Sequence, residues 1–89
     1  MDFWPFVRTL PREMTSFACQ VFDEGFAEVE RLQELKDTGT EEKKVRAADQ
    51  LERLGVPGIW FHRRFCEKYP GFTQEQTNML FAFAARASL

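Results

Sequence analysis

Glycine and proline interrupt this chain at three places and leave four longer segments between them. The interruptions fall at Gly39, at residues 55–58 and at residues 70–71. Glycine favours the end of a helix and proline cannot continue one, so each interruption predicts a turn. Within the segments, apolar residues recur every three or four positions, as in an amphipathic helix. We predict an all-α bundle of three to four helices, over about residues 10–37, 40–54, 57–69 and 74–87.

Local signals at the ends of these segments agree with this assignment. Thr73 is followed three residues later by Gln76, the spacing of a capping box, which predicts the start of the last helix. Residues 1–9 hold Phe3, Trp4 and Phe6 around Pro5, which favours an apolar N-terminal arm over a regular helix. At 89 residues the chain is the usual size of one domain, so we expect a single helical domain with this arm attached.

Aromatic residues are unusually abundant for a chain of this length. The sequence contains ten Phe, two Trp and one Tyr. Small helical cores are usually filled by aliphatic side chains, so this number indicates either an aromatic core or rings left over for an interface. Both alternatives are compatible with the sequence.

The first long segment has an apolar sector wider than one neighbouring helix requires. A self-complementary stripe of this kind favours symmetric pairing, so we expect a homodimer. Gly25 lies in the middle of this segment and indicates either close approach of another backbone or a bend. The residues predicted to mediate self-association are Cys19, Phe22, Phe26 and Val29.

The third segment predicts a second, partner-binding surface. Its helical periodicity places Ile59 and Phe65 on the inner face and Trp60 on the opposite side, near Arg63 and Arg64. Trp and Arg are enriched at the energetic centres of interfaces. The alternative is that Trp60 lies over a neighbouring helix beneath Arg64. The complete set predicted to bind a protein partner is Trp60, Phe61, Arg63, Arg64, Phe81, Phe3 and Trp4.

DNA binding is the main alternative function. A short glycine-bearing turn joins the second and third segments, and the third carries Arg63, Arg64 and Lys68, as in a helix-turn-helix unit. The formal net charge of −2 opposes it, and the start of the third segment has no polar side chain suited to reading base edges. We therefore expect no nucleic-acid partner.

The sequence carries no motif that predicts catalysis or a cofactor. His62 and Cys66 are four residues apart and can meet on one helix face, but one further Cys and no further His are present to complete a metal or nucleophile site. No phosphate-binding glycine loop can be written. We expect no enzyme activity, no cofactor, no metal and no disulfide between the two cysteines.

Targeting signals are equally lacking in the sequence. No stretch approaches the roughly 18 apolar residues of a membrane span, and the N-terminal residues do not resemble a signal peptide, so we expect a cytoplasmic protein. Together these features predict a small non-catalytic protein-interaction module. Its most concrete form is a regulator or inhibitor of the anti-activator type, which occludes a surface of a cytoplasmic target.

Overall fold

The computed structural model describes residues 4–87, apart from the side chain of Trp4. Within that range the chain forms five helices and no strands, which confirms the predicted all-α fold. The four longer helices begin and end within two residues of the predicted positions. The helices are α1 (Trp4–Arg8), α2 (Arg12–Thr38), α3 (Glu41–Leu54), α4 (Pro57–Lys68) and α5 (Gln74–Ala87).

The short helix α1 corrects the predicted irregular arm. Pro5 is the second residue of α1, in the first turn, where a missing backbone N–H removes no hydrogen bond within the helix. Val7 of this helix is buried, and α1 packs against α5. Phe3 and the side chain of Trp4, which were predicted to bind a partner, lie outside the part of the chain that the structure describes.

Local side-chain and glycine signals explain where the helices begin and end. The Thr73 side chain accepts a hydrogen bond from the Gln76 backbone N–H at 3.1 Å. The Gln76 side chain in return accepts one from the Thr73 N–H at 2.9 Å, which confirms the predicted capping box. At the end of α3, Gly55 adopts a φ of 82°, a conformation that favours glycine.

The long helix α2 is the central element of the fold. It packs against α3, α4 and α5, and it buries Ala18, Val21, Gly25 and Leu32. Three neighbours within one chain account for the width of its apolar sector. The argument that this width serves a second copy of the chain therefore loses its basis.

Aromatic rings fill the part of the core between α2, α4 and α5. Trp60, Phe61 and Phe65 are the largest fully buried side chains. Phe61 and Phe65 stack with a centroid separation of 6.1 Å, and Phe17, Phe22, Phe26, Tyr69, Phe72 and Phe81 pack against the buried cluster. Most of the aromatic excess is thus an aromatic core.

Helix α3 packs mainly against the C-terminal part of α2. Leu32 and Ala47 are buried at this contact, and a groove of about 270 Å³ runs beside them. The resulting helical pair contributes to an elongated shape with extents of 48 × 26 × 23 Å.

Candidate interaction surfaces

Trp60 and Phe61 are core residues, so the prediction that they are exposed at a partner-binding surface is wrong. Both have an exposed fraction of 0%. Trp60 lies against Gly25 of α2, where a Cβ atom would overlap the six-membered part of the indole. The mid-helix glycine therefore marks close approach of a ring, which is neither of the two alternatives derived from the sequence.

Ring packing, and no hydrogen bond from the described residues, holds the Trp60 ring in this position. Phe26 and Phe81 approach it edge-on, with centroid separations of 5.4 and 6.5 Å. The indole Nε1 is buried and has no hydrogen-bond partner among residues 4–87. Contacts between rings and the space above Gly25 thus decide where Trp60 lies.

The basic residues of α4 all contact groups of their own chain. Arg64 donates to the Glu28 carboxylate at 2.5 Å, and its guanidinium lies 5.8 Å from the centroid of Trp60. Arg63 donates to the carbonyl of Leu54 at 3.2 Å, at the end of α3. The Lys68 ammonium lies 4.6 Å from the centroid of Phe17. The position of Arg64 beside the Trp60 ring agrees with the alternative in which Arg64 covers Trp60. All three cations thus have contacts that stabilise the fold.

A half-buried aromatic cluster joins α2 to α5. Phe81 lies 5.2 Å from Phe22 and 6.1 Å from Phe26, measured between ring centroids. The structure thus brings together one residue predicted to bind a partner and two predicted to mediate self-association. Cys19 and Val29 are also half-buried on α2.

The acidity of the Cys19 thiol is perturbed by its surroundings. Partial burial disfavours the thiolate, and the nearby Asp23 carboxylate repels it, so the pKa of Cys19 is raised above its ordinary value. A raised pKa lowers the nucleophilicity available at neutral pH. The environment of Cys19 is therefore the opposite of one that activates a cysteine.

The junction between α3 and α4 exposes two large apolar side chains. Val56 and Ile59 have exposed fractions of 61% and 55%. We call this pair the junction tip. Ile59 was predicted to face inward, and that prediction is wrong. The buried face of α4 is centred on Trp60, Phe61 and Phe65, which rotates Ile59 outward.

Several contacts fix the backbone beside the junction tip. Gly55 takes the positive φ that reverses the chain after α3. The Gln74 side chain donates to the carbonyl of Gly58 at 3.0 Å, which ties the start of α4 to α5. With the bond from Arg63 to Leu54, these contacts restrain the backbone on either side of Val56 and Ile59.

His62 and Cys66 do lie close together, in a hydrogen-bonded setting. His62 Nδ1 is 2.8 Å from the hydroxyl of buried Thr77, and Cys66 Sγ is 3.8 Å from the same nitrogen. The Thr77 hydroxyl also lies 3.1 Å from the carbonyl of Gln74. Among residues 4–87, no three His, Cys, Asp or Glu side chains are grouped as a metal site would require. The arrangement joins α4 to α5.

The fold and the surfaces described above define a small all-α protein that exposes the apolar junction tip between α3 and α4. No family model matches the chain, and neither a curated protein nor a solved structure matches it. None of the helices between residues 4 and 87 combines the length and the apolar character needed to cross a bilayer.

Proposed function

We propose that this protein is a small non-catalytic interaction module that regulates or inhibits a cytoplasmic target by covering part of its surface. The junction tip is the contact point in this proposal. Val56 and Ile59 replace Trp60 and Phe61, which lie in the core, as the residues that a partner would meet.

The observation that carries this proposal is the exposure of two neighbouring apolar side chains on a fixed turn. A single exposed apolar side chain is common, whereas grouped ones favour an interaction site. Val56 and Ile59 are three residues apart and flank the first turn of α4. Full burial of such a side chain contributes roughly 1.5–3 kcal/mol relative to exposure. The two side chains thus supply part of the binding free energy of a small interface, and the contacts around them supply the rest.

The rigidity of the junction supports the same proposal. A backbone segment that is already held in its binding geometry loses less conformational entropy when a partner binds. The Gln74 to Gly58 bond and the Arg63 to Leu54 bond supply this restraint. The partner best suited to the tip is a protein surface with an apolar pocket that admits a valine and an isoleucine side chain.

Regulation by covering a surface of the target is compatible with the small size of the module. An 89-residue chain that binds by an apolar tip can block a dimer or substrate interface of its target. We include homodimerisation in the proposal. The DNA-binding alternative is less favourable, because the three cations of α4 have contacts within the chain. Arg63 donates to the carbonyl of Leu54, and Arg64 contacts Glu28 and Trp60. Lys68 lies over the ring of Phe17.

The test compares two tip variants with a matched control. Val56→Asp and Ile59→Asp place a charge on the tip, whereas Val45→Asp makes the same change on α3, at a valine that is 67% exposed. The three variants and the unaltered chain are immobilised and exposed to extract of the native cell. Retained proteins are then quantified by mass spectrometry.

We expect one protein to be retained by the unaltered chain and by Val45→Asp, and to be depleted at least about tenfold by either tip variant. Circular dichroism should show equal helicity in all four proteins, because each change is at an exposed site. Retention of the same proteins by all four chains would remove the junction tip as the contact point and refute the proposal.

A further inference from the structure

The groove between α2 and α3 has an apolar floor and a basic rim. Leu32 and Ala47 form the buried floor, one from each helix, and Leu35 is half-buried and lines the same groove. Lys43 and Arg46 are exposed on the α3 side, and they are the two charged residues among those that line the groove. We call this recess the α2–α3 groove, and its lining consists of Leu32, Leu35, Lys43, Arg46, Ala47 and Gln50.

The charge at this rim is opposite in sign to the charge of the whole chain. The sequence has a formal net charge of −2, whereas both charged side chains of the groove are cations. The Lys43 ammonium has no ion-pair or hydrogen-bond partner among residues 4–87. Arg46 donates to Glu42 at 2.6 Å, but both side chains are largely exposed, so this pair contributes little to stability and can be exchanged for another carboxylate. A ligand that carries carboxylates beside an apolar group is therefore complementary to the groove.

The walls of the groove limit the backbone conformation that a partner can use. Both walls are α-helices, whose backbone N–H and C=O groups bond within the helix and cannot pair with an added strand. A partner segment must then satisfy its own backbone groups, and an α-helix does so. Helices α4 and α5 pack on the N-terminal part of α2, whereas α3 packs mainly against α2 alone. A helix in the groove would thus give α2 and α3 a third neighbour at this end.

The size of the groove favours inserted side chains over an enclosed small molecule. Its volume of about 270 Å³ lies below the roughly 300–1,000 Å³ typical of sites that enclose a small ligand. One or two leucine-sized side chains of a peptide can enter such a groove while the rest of the peptide stays outside it.

We propose that the α2–α3 groove binds an acidic amphipathic helix of a protein partner. In this arrangement, apolar side chains spaced three or four residues apart on the partner contact Leu32, Leu35 and Ala47. Carboxylates beside this apolar stripe contact Lys43 and Arg46, which are three residues apart and therefore project from the same side of α3. The groove does not include Val56 or Ile59, so the inference adds a second site and is independent of the proposed function.

A designed peptide tests the inference on the full chain. The probe is a capped helix of about 18 residues in which leucines form one stripe, glutamates flank the stripe and alanines fill the other positions. One control peptide has lysine in place of each glutamate, and a second has alanine in place of each leucine. Binding is measured by the fluorescence anisotropy of a trace of labelled peptide, and the site is located by the amide chemical shifts of isotope-labelled protein.

The glutamate peptide should bind in the groove, and the two control peptides should bind less tightly. We expect saturable binding of the glutamate peptide at protein concentrations below about 1 mM. The largest amide shifts should lie near Leu32, Leu35 and Ala47. The lysine peptide and the alanine peptide should each bind at least about tenfold more weakly, because one loses the charge match and the other loses the apolar contact.

Charge changes on the protein separate the groove from a general electrostatic attraction. Lys43→Glu and Arg46→Glu should each weaken binding of the glutamate peptide at least about fivefold. The matched control is Arg53→Glu, at an exposed arginine of α3 that also pairs with an acid four residues earlier but does not line the groove. It should change the affinity less than about twofold. Glu42→Gln removes the carboxylate that competes for Arg46 and should strengthen binding about twofold.

The inference would be overturned if the glutamate peptide failed to bind up to about 1 mM, or if the lysine peptide bound equally well. Amide shifts confined to other parts of the chain would also overturn it. If the amides of the groove shifted with decanoate or with protein concentration, and not with the peptide, the occupant would be a small amphiphile or a second copy. Ile59→Asp should bind the peptide like the unaltered chain, so loss of the junction-tip function and loss of the groove are observed separately.

Discussion

Gly25 of α2 and Trp60 of α4 form a contact in which the absence of one side chain makes room for another. A Cβ atom at residue 25 would overlap the Trp60 indole. The Trp60 indole, the largest fully buried side chain among the described residues, thereby lies against a helix backbone. Glycine in mid-helix costs up to about 1 kcal/mol relative to alanine, so the contact outweighs an intrinsic preference of the helix.

Gly25→Ala should therefore destabilise the fold although alanine is the better helix former. Overpacking of a core costs about 1–3 kcal/mol, which exceeds the gain in helix propensity. Chemical denaturation of the unaltered chain and the variant measures the difference. Adding Trp60→Leu should recover part of the loss from Gly25→Ala, because the shorter side chain leaves the new methyl group room. Equal effects of Gly25→Ala in both backgrounds would contradict the contact.

The ion pair between Arg64 and Glu28 should contribute measurably to stability. Their side chains are 30% and 34% exposed and lie 2.5 Å apart, and Arg64 also covers Trp60. A double-mutant cycle with Glu28→Gln and Arg64→Gln should give a coupling energy of about 0.5–1.5 kcal/mol. The same cycle on Glu42 and Arg46, which are 73–75% exposed, should give about 0.3–0.5 kcal/mol. A larger coupling at the α3 pair would argue against this ranking.

Thr77→Val should destabilise the packing of α5 on α4. The Thr77 hydroxyl is buried and contacts His62 Nδ1 and the Gln74 carbonyl, and valine has nearly the same shape without a hydroxyl. Leaving a polar group without its partner costs roughly 1–3 kcal/mol. Thr77→Ser keeps the hydroxyl and loses a methyl group, so it serves as the control. Urea denaturation should show the larger loss for valine; the reverse order would mean that methyl packing matters more than the hydroxyl.

Alkylation of Cys19 should begin at a higher pH than alkylation of an unperturbed cysteine. Burial and the Asp23 carboxylate raise its pKa, so the thiol stays protonated over part of the range in which an ordinary cysteine reacts. The rate with iodoacetamide is followed against pH in a Cys66→Ser background. Asp23→Asn should move the profile toward lower pH, because it removes the repelling charge. A profile that matches a free cysteine in both chains would contradict the raised pKa.

The ends of the helices could be predicted from the sequence because their causes are local. The capping box at Thr73 and Gln76, the glycine at residue 55 and the proline at residue 57 each act within one turn. The exception is α1, where a proline was interpreted as an interruption but lies in the first turn. The composition allowed the aromatic residues to form either a core or an interface. In the structure most of them pack in the core.

The rotation of α4 could not be predicted, because it depends on a neighbour that is distant in sequence. The periodicity of α4 alone allows a buried face containing Ile59 or one containing Trp60. The choice is made by the space above Gly25, 35 residues earlier, and by the rings of Phe26 and Phe81. Gly25 in the middle of α2 and the large Trp60 side chain of α4 are complementary in shape. Considered together, they would have indicated that Trp60 is buried against α2.

The placement of α3 on the C-terminal part of α2 should make the two ends of the molecule differ in how easily they unfold locally. Rings pack on α2 as far as Phe26, whereas the far end of α2 contacts α3 through smaller, aliphatic side chains around Leu32 and Ala47, with a groove beside them. Backbone amides near residues 33–46 should therefore exchange their hydrogens by partial separation of the two helices. Amides near Trp60 and Phe65 should exchange when the whole chain unfolds. The contact between α2 and α3 should thus open locally while the aromatic core stays folded.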